Sequence, residues 1–135
     1  MLLRFILPFL LVVTMTACAK TPYENINNDQ LKSMLEQGVP IYDIRRPDEW
    51  KQTGVVKGSQ LMTFFDANGK VYANFLPKFA QQVNKDDPVI LICRTGNRTS
   101  VLARYLMENL GYTKVYNVKY GITDWIRKGH PVEKN

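Results

Sequence analysis

Four consecutive apolar residues, Val89-Ile90-Leu91-Ile92, lead straight into Cys93 and then into Arg94-Thr95-Gly96-Asn97-Arg98-Thr99. An apolar run without alternation is the pattern of a strand covered on both faces, as in the middle of a parallel sheet. The basic loop behind it opens a helix at about Arg98. Val101, Leu102, Tyr105, Leu106 and Leu110 form its apolar stripe and Gly111 closes it. Strand, tight loop and helix start in that order curl the loop amides into a concave ring of donors, which favours an anion. A thiol at the rim of that ring is biased toward thiolate, its nucleophilic form. The competing reading is a structural cysteine that ends a buried strand, since cysteine is among the residue types most often buried.

The flanking sequence repeats the alternation. Asn27 or Asn28 caps a helix with Leu31, Met34 and Leu35 on one face, ended by Gly38. Val39 to Ile44 reads as a strand with Pro40 near its start. Leu76, Phe79, Ala80 and Val83 fit a helix with Pro77 in its first turn. Val115 to Val118 is a short strand, and Ile122, Trp125 and Ile126 fit a last helix before Gly129-His130-Pro131. Between Phe64 and Tyr72, Asp66-Ala67-Asn68-Gly69 signals the turn of a small hairpin. Strands alternating with helices predict an α/β domain whose parallel sheet is covered on both faces. Ligands of such sheets sit beyond the carboxyl ends of the strands, where Cys93 falls.

The beginning of the chain reads differently. Arg4 precedes the apolar run Phe5 to Val13, and small residues follow at Thr16-Ala17, the layout of a secretory signal. A membrane-spanning helix needs about 20 apolar residues, more than this run supplies. Met15-Thr16-Ala17-Cys18 resembles the bacterial lipobox, with Met15 in place of the usual leucine, which makes Cys18 a lipidation site. The alternative is Ala17-Cys18-Ala19, an ordinary A-x-A site with cleavage before Lys20. The expected organisation is a signal over 1–17, a tether over 18–23 and one domain over 24–132. With Ala19 after the cysteine, a Gram-negative lipoprotein goes to the outer membrane; the soluble alternative is periplasmic. The chain has two cysteines, so acylation or removal of Cys18 leaves Cys93 as the only free thiol. An unpaired cysteine in a disulfide-forming compartment is a liability unless it is used.

The net charge of +6 includes Arg4. A mild basic excess suits small anionic substrates or an anionic surface. The basic residues are scattered apart from Arg45-Arg46 and Arg127-Lys128, without the aromatic-interleaved stripe of a nucleic-acid binder. One histidine, His130, in a Gly-His-Pro segment, is expected on the solvent side. It offers neither a Cys-His pair nor, with one free cysteine, a metal site. No cofactor is called for.

Several segments together resemble the single-domain rhodanese family: Asp43-Ile44-Arg45, Glu49-Trp50, Gly58, the C-R-x-G-x-R loop Cys93 to Arg98, and Tyr120 to Trp125. The resemblance runs from about Tyr23 to Val132. It implies a central five-stranded parallel sheet flanked by helices on both faces, and a sulfurtransferase whose cysteine carries sulfur as a persulfide. On that reading Cys93 is the nucleophile toward a small anionic donor such as thiosulfate, with cyanide or a thiol as acceptor. The amides of Arg94, Thr95, Gly96, Asn97, Arg98 and Thr99 hold the terminal sulfur. Arg94 and Arg98 hold the sulfonate oxygens, a task suited to planar bidentate donors. Asp43 and Glu49 pair with arginines to fix the strand-to-loop geometry, with Arg45 as their local partner. A non-catalytic member of the same fold, binding a partner or an anion at the loop, is the alternative. Cysteine-dependent phosphatases place the arginine six positions after the cysteine and commonly have a histidine before it. Here Arg98 follows at five positions and Ile92 precedes. Two departures from the family stand out. Its usual G-H-I-x-G-A reads Gly54-Val55-Val56-Lys57-Gly58-Ser59 here, and Tyr120 stands where glycine is frequent.

Overall fold

The computed structural model describes residues 20–135; the expected signal over 1–17 and Cys18 lie outside the described residues. Five strands, β1 (Glu24–Ile26), β2 (Ile41–Asp43), β3 (Gln60–Leu61), β4 (Val89–Ile92) and β5 (Val115–Val118), form one sheet in the order β1-β5-β4-β2-β3. Every pairing is parallel. The apolar run is therefore the central strand, buried at all four positions.

Five helices cover the sheet: α1 (Asn28–Glu36), α2 (Pro47–Thr53), α3 (Phe75–Gln82), α4 (Asn97–Asn109) and α5 (Gly121–Arg127). Although β4 is apolar throughout, its side chains still alternate. Val89, Leu91 and Cys93 join Phe75 and Phe79 of α3 and Leu102 and Leu106 of α4 on one face. Ile90 and Ile92 join Leu31 of α1 and Ile122 and Trp125 of α5 on the other. Cys93 thus belongs to the α4 side of the sheet.

Local chemistry sets several boundaries. Asn27 and Gln30 form a reciprocal cap at the start of α1. Asn28, the first residue of that helix, donates to Asp124 of α5 at 3.0 Å and ties the two helices together. The turn at Asp66 holds a minimal hairpin, with Phe65 bridged antiparallel to Val71 and Asp66 Oδ1 accepting from the amides of Asn68 and Lys70.

Three elements exceed the sequence reading: β1, β3 and α2. The α4 stripe is also narrower than expected. Leu102, Ala103 and Leu106 face the core, whereas Val101 is 57% exposed and Tyr105 42%. Adjacent helical residues point about 100° apart, so Val101 cannot share the inward direction of both Leu102 and Leu106. Ile126 of α5 turns outward for the same reason.

Candidate active site

Cys93 stands at the carboxyl end of β4, and α4 begins at Asn97, one residue before the expected start. The connecting loop is pressed against the corner between β5 and α5. Gly96, in the left-handed region at φ 89°, could not carry a side chain, because a Cβ would sit 2.2 Å from the Lys119 carbonyl oxygen. Gly121 approaches from the other side, where a Cβ would meet the Arg94 carbonyl oxygen at 2.3 Å. Close packing serves hydrogen bonding here. The Ile122 amide donates to the Cys93 carbonyl at 2.9 Å, and the Thr123 amide to the Arg94 carbonyl at 3.1 Å. With those carbonyls turned toward α5, the amides of Arg94, Thr95, Gly96, Asn97, Arg98 and Thr99 donate to no group among the described residues. Six consecutive unpaired donors at a helix start form an anion cradle.

Cys93 lies beneath this cradle, only 1% exposed, rather than on its rim. Its Sγ is 3.2 Å from Thr99 Oγ1, which bonds in turn to Asn117. His130 stacks half-buried on Trp125, whose side chain lies on the opposite face of the sheet.

The carboxylates sort differently from the expectation. Asp43 pairs with Arg45, as the sequence predicted, and both are buried; Nη2 is 2.8 Å from Oδ2 and Nε 2.9 Å from Oδ1. Trp50 Nε1 also donates to Asp43. The Glu49 carboxylate does not share Arg45, which reaches only the Glu49 backbone carbonyl, at 3.5 Å. The remaining Arg45 donors go to Thr53 Oγ1 and the Gly54 carbonyl, which hold the end of α2. The carboxylate of Glu49 instead takes Arg98 in a two-pronged pair at 2.6 and 2.8 Å. Burial works to raise the Glu49 carboxyl, but the Arg98 hydrogen bonds, the Arg46 amide and both arginine charges hold it down at about 2. In return the hydrogen bonds it donates to Glu49 raise the Arg98 guanidinium above its usual value, against its burial. Arg98 is thus a fixed wall of the site with its charge toward Cys93.

Above the cradle opens a cleft of about 530 Å³ between the loop, α2 and the hairpin, lined by Arg94, Arg98, Arg46, Asn97, Phe65 and Asp66 among others. The Arg94 side chain is exposed and makes no hydrogen bond or ion pair among the described residues. Arg46 is loosely held, by exposed Asp48 at 3.2 Å and by Glu49 Oε2 at 3.7 Å. Arg46 and Asn117 escaped the sequence reading. A polar residue at a sheet-buried position of an apolar strand was the available signal for Asn117.

Both departures from the family pattern have local explanations. Tyr120 has φ −108° and is 55% exposed, so its position requires no glycine. Val55 forms a two-way backbone bridge with Glu133 at 2.8 Å each way, which secures that edge without a histidine.

Comparison with known proteins agrees with this architecture. The profile of the rhodanese-like domain matches residues 27–128, and the chain belongs to that family. It is 30% identical over 104 residues to the thiosulfate sulfurtransferase GlpE of Tolumonas auensis, covering 76% of this chain and 88% of that protein. It is also 30% identical to a sulfurtransferase of Allochromatium vinosum, over 79% of this chain and 92% of the relative. The crystal structure of a rhodanese-related protein from Thermoplasma volcanium superposes with a TM-score of 0.63 at 26% identity, over 84% of this chain and all of that one.

Proposed function

We propose that the protein is a sulfurtransferase working through a persulfide on Cys93, with thiosulfate or a similar anion as donor and cyanide or a thiol as acceptor. The observation that carries this reading is the row of six unpaired amides, 94 to 99, set over a single free thiol among the described residues. The Cys93 thiolate attacks the outer sulfur of thiosulfate. The sulfur–sulfur bond breaks and sulfite leaves with its electron pair, giving Cys–S–S⁻. The terminal anion sits in the cradle, where preorganised donors need no reorientation. The acceptor then attacks that outer sulfur and returns the thiolate, cyanide leaving as thiocyanate. Because Glu49 occupies Arg98, exposed Arg94 and half-buried Arg46 meet the donor's oxygens, while Arg98 supplies charge near the sulfur. The names of the two bacterial relatives support this chemistry.

The N-terminal reading is part of the same proposal: export, acylation of Cys18 and attachment to a bacterial envelope membrane. Intact-mass spectrometry after incubation with thiosulfate tests the chemistry. One sulfur, roughly 32 Da, is gained, and cyanide removes it as thiocyanate. Cys93→Ser shows neither event. An unchanged mass with several sulfane donors would leave only a non-catalytic binding role.

A further inference from the structure

Beneath Cys93 runs a row of polar side chains that the chemistry above does not use. Thr99, fully buried on the first turn of α4, has its Oγ1 3.2 Å from Cys93 Sγ and 3.2 Å from the Gly96 carbonyl. It also makes a short hydrogen bond with Oδ1 of Asn117 on β5. Asn117 is itself buried, and its Nδ2 donates to Asn25 Oδ1 on β1 at 2.9 Å and to the Gly96 carbonyl at 3.4 Å. The row crosses two strands, from the nucleophile to exposed Asn25 at the sheet edge.

Proton counting gives the row its direction. The Gly96 backbone carbonyl beside Asn117 Nδ2 can only accept, so the amide nitrogen faces it and Oδ1, which carries no proton, faces Thr99. A hydroxyl has one proton to give. Three acceptors surround Thr99 Oγ1, and Asn117 Oδ1 is the nearest of them. With its proton committed there, Thr99 presents only lone pairs to the sulfur.

We propose that Asn117 is a positioning residue for Cys93: by holding the Thr99 proton it withholds a hydrogen bond from Sγ. The donors for negative charge are then the backbone amides of 94 to 99. This rests on the persulfide reading above. In that reading the unloaded thiolate carries its charge on Sγ. The loaded form carries it one bond further out, and Sγ becomes a neutral bridging atom. A donor on Sγ would favour the first state, and the loop amides favour the second. Asn117 therefore biases the site toward holding sulfur.

Alkylation of unloaded Cys93 by iodoacetamide tests this in the full chain, followed on the Cys93 peptide by mass spectrometry over a range of pH. In Asn117→Ala the Gly96 carbonyl and the sulfur remain as acceptors at 3.2 Å each. The freed Thr99 proton turns to the thiolate because a charged acceptor binds it more strongly, so the profile moves to lower pH while the high-pH rate stays unchanged. On the rising limb the rate at fixed pH increases roughly three- to tenfold, the worth of one hydrogen bond. A site that is merely loosened raises the high-pH rate instead; that result, or no change, overturns the proposal. Thr99→Val decides independently if Asn117→Ala does not fold. With Thr99 not donating to Sγ, the rate at fixed pH holds or rises, whereas slowing by roughly threefold or more would reveal a hydrogen bond from Thr99 to sulfur and sink the idea. Thr99→Ser keeps the parent profile, and Asn117→Ala adds nothing in the Thr99→Val background. Arg98 on α4, with Glu49 on α2 and Asp43 on β2 behind it, keeps its charge in every variant. Alkylation needs no sulfur donor, so its outcome stands whether or not thiosulfate loads Cys93.

Discussion

Glu49 and Arg98 stand 49 positions apart, yet their side chains meet in parallel hydrogen bonds of 2.6 and 2.8 Å. The pair locks α2 to the first turn of α4, so the cradle over Cys93 is braced from the neighbouring strand's connection. That brace begins at Asp43 and Arg45, which fasten the middle and the C-terminal end of α2 beside β2.

Glu49→Gln removes one charge of this pair and leaves Arg98 poorly matched. Ionised Glu49 is bound down to about 2 in the folded chain against an ordinary 4.5. Its stabilisation is therefore fully present above about pH 4.5 and is lost as the pH falls toward 2. Urea unfolding at pH 6 should find the variant less stable by on the order of 2–3 kcal/mol. Repeated near pH 2.5, the difference should shrink by more than half. A gap independent of pH would mean that the pair does not act through its charges.

Arg94 and Arg98 should separate cleanly. Arg94→Ala deletes an exposed cation with no partner among the described residues, so thermal stability stays within about 0.5 kcal/mol. Its kcat/KM for thiosulfate should fall roughly tenfold to a hundredfold, mostly in KM, with a weaker salt dependence. Arg98→Ala strands Glu49 and should cost about 2–4 kcal/mol in stability as well as activity. If Arg98→Ala keeps its melting temperature, its pairing with Glu49 is not the structural brace described here.

The loop's seat on α5 is equally testable. In Gly121→Ala the new Cβ would lie 2.3 Å from the Arg94 carbonyl oxygen, at a backbone φ of 64° that suits glycine. The loop must lift, breaking the bonds from the Ile122 and Thr123 amides. A cost of about 3 kcal/mol or more and slowed sulfur loading follow. Tyr120→Gly, at an exposed site with ordinary φ, should change stability by no more than about 1 kcal/mol. Equal tolerance of both substitutions, measured by thermal unfolding and persulfide formation, would contradict the packing.

What was legible in the sequence follows from how local each signal is. Val89 to Ile92 announced itself because a central strand needs apolar residues on both faces, and the loop because its glycine and arginines are contiguous. The strands β1 and β3, with three and two residues, carry too little periodicity to detect and exist through their pairing with β5 and β2. The seven-residue α2 was seen as the motif Glu49-Trp50 but not as a helix. Arg45 was the natural partner for Glu49 by proximity along the chain. The actual partner is brought in by the β4–α4 connection, which no local pattern encodes. Asn117 was hidden in the same way, since its role depends on β5 lying beside β4.

The last prediction concerns where the protein sits. If Cys18 is acylated, the mature protein partitions with membranes and incorporates labelled fatty acid, and Cys18→Ala abolishes both. The residues that support this are Thr16-Ala17-Cys18 behind a short apolar run. Cys93 is fully buried against Thr99, so a disulfide to Cys18 would have to pull it from beneath the loop. The tether from Cys18 to Tyr23 spans at most about 18 Å, which would keep an anchored domain close to the lipid surface. Several acyl chains hold such a protein firmly, where one would hold it weakly. A soluble form beginning at Lys20, identified by N-terminal sequencing, would instead establish cleavage at Ala17-Cys18-Ala19. The membrane attachment would then be wrong, while the chemistry at Cys93 would be unaffected.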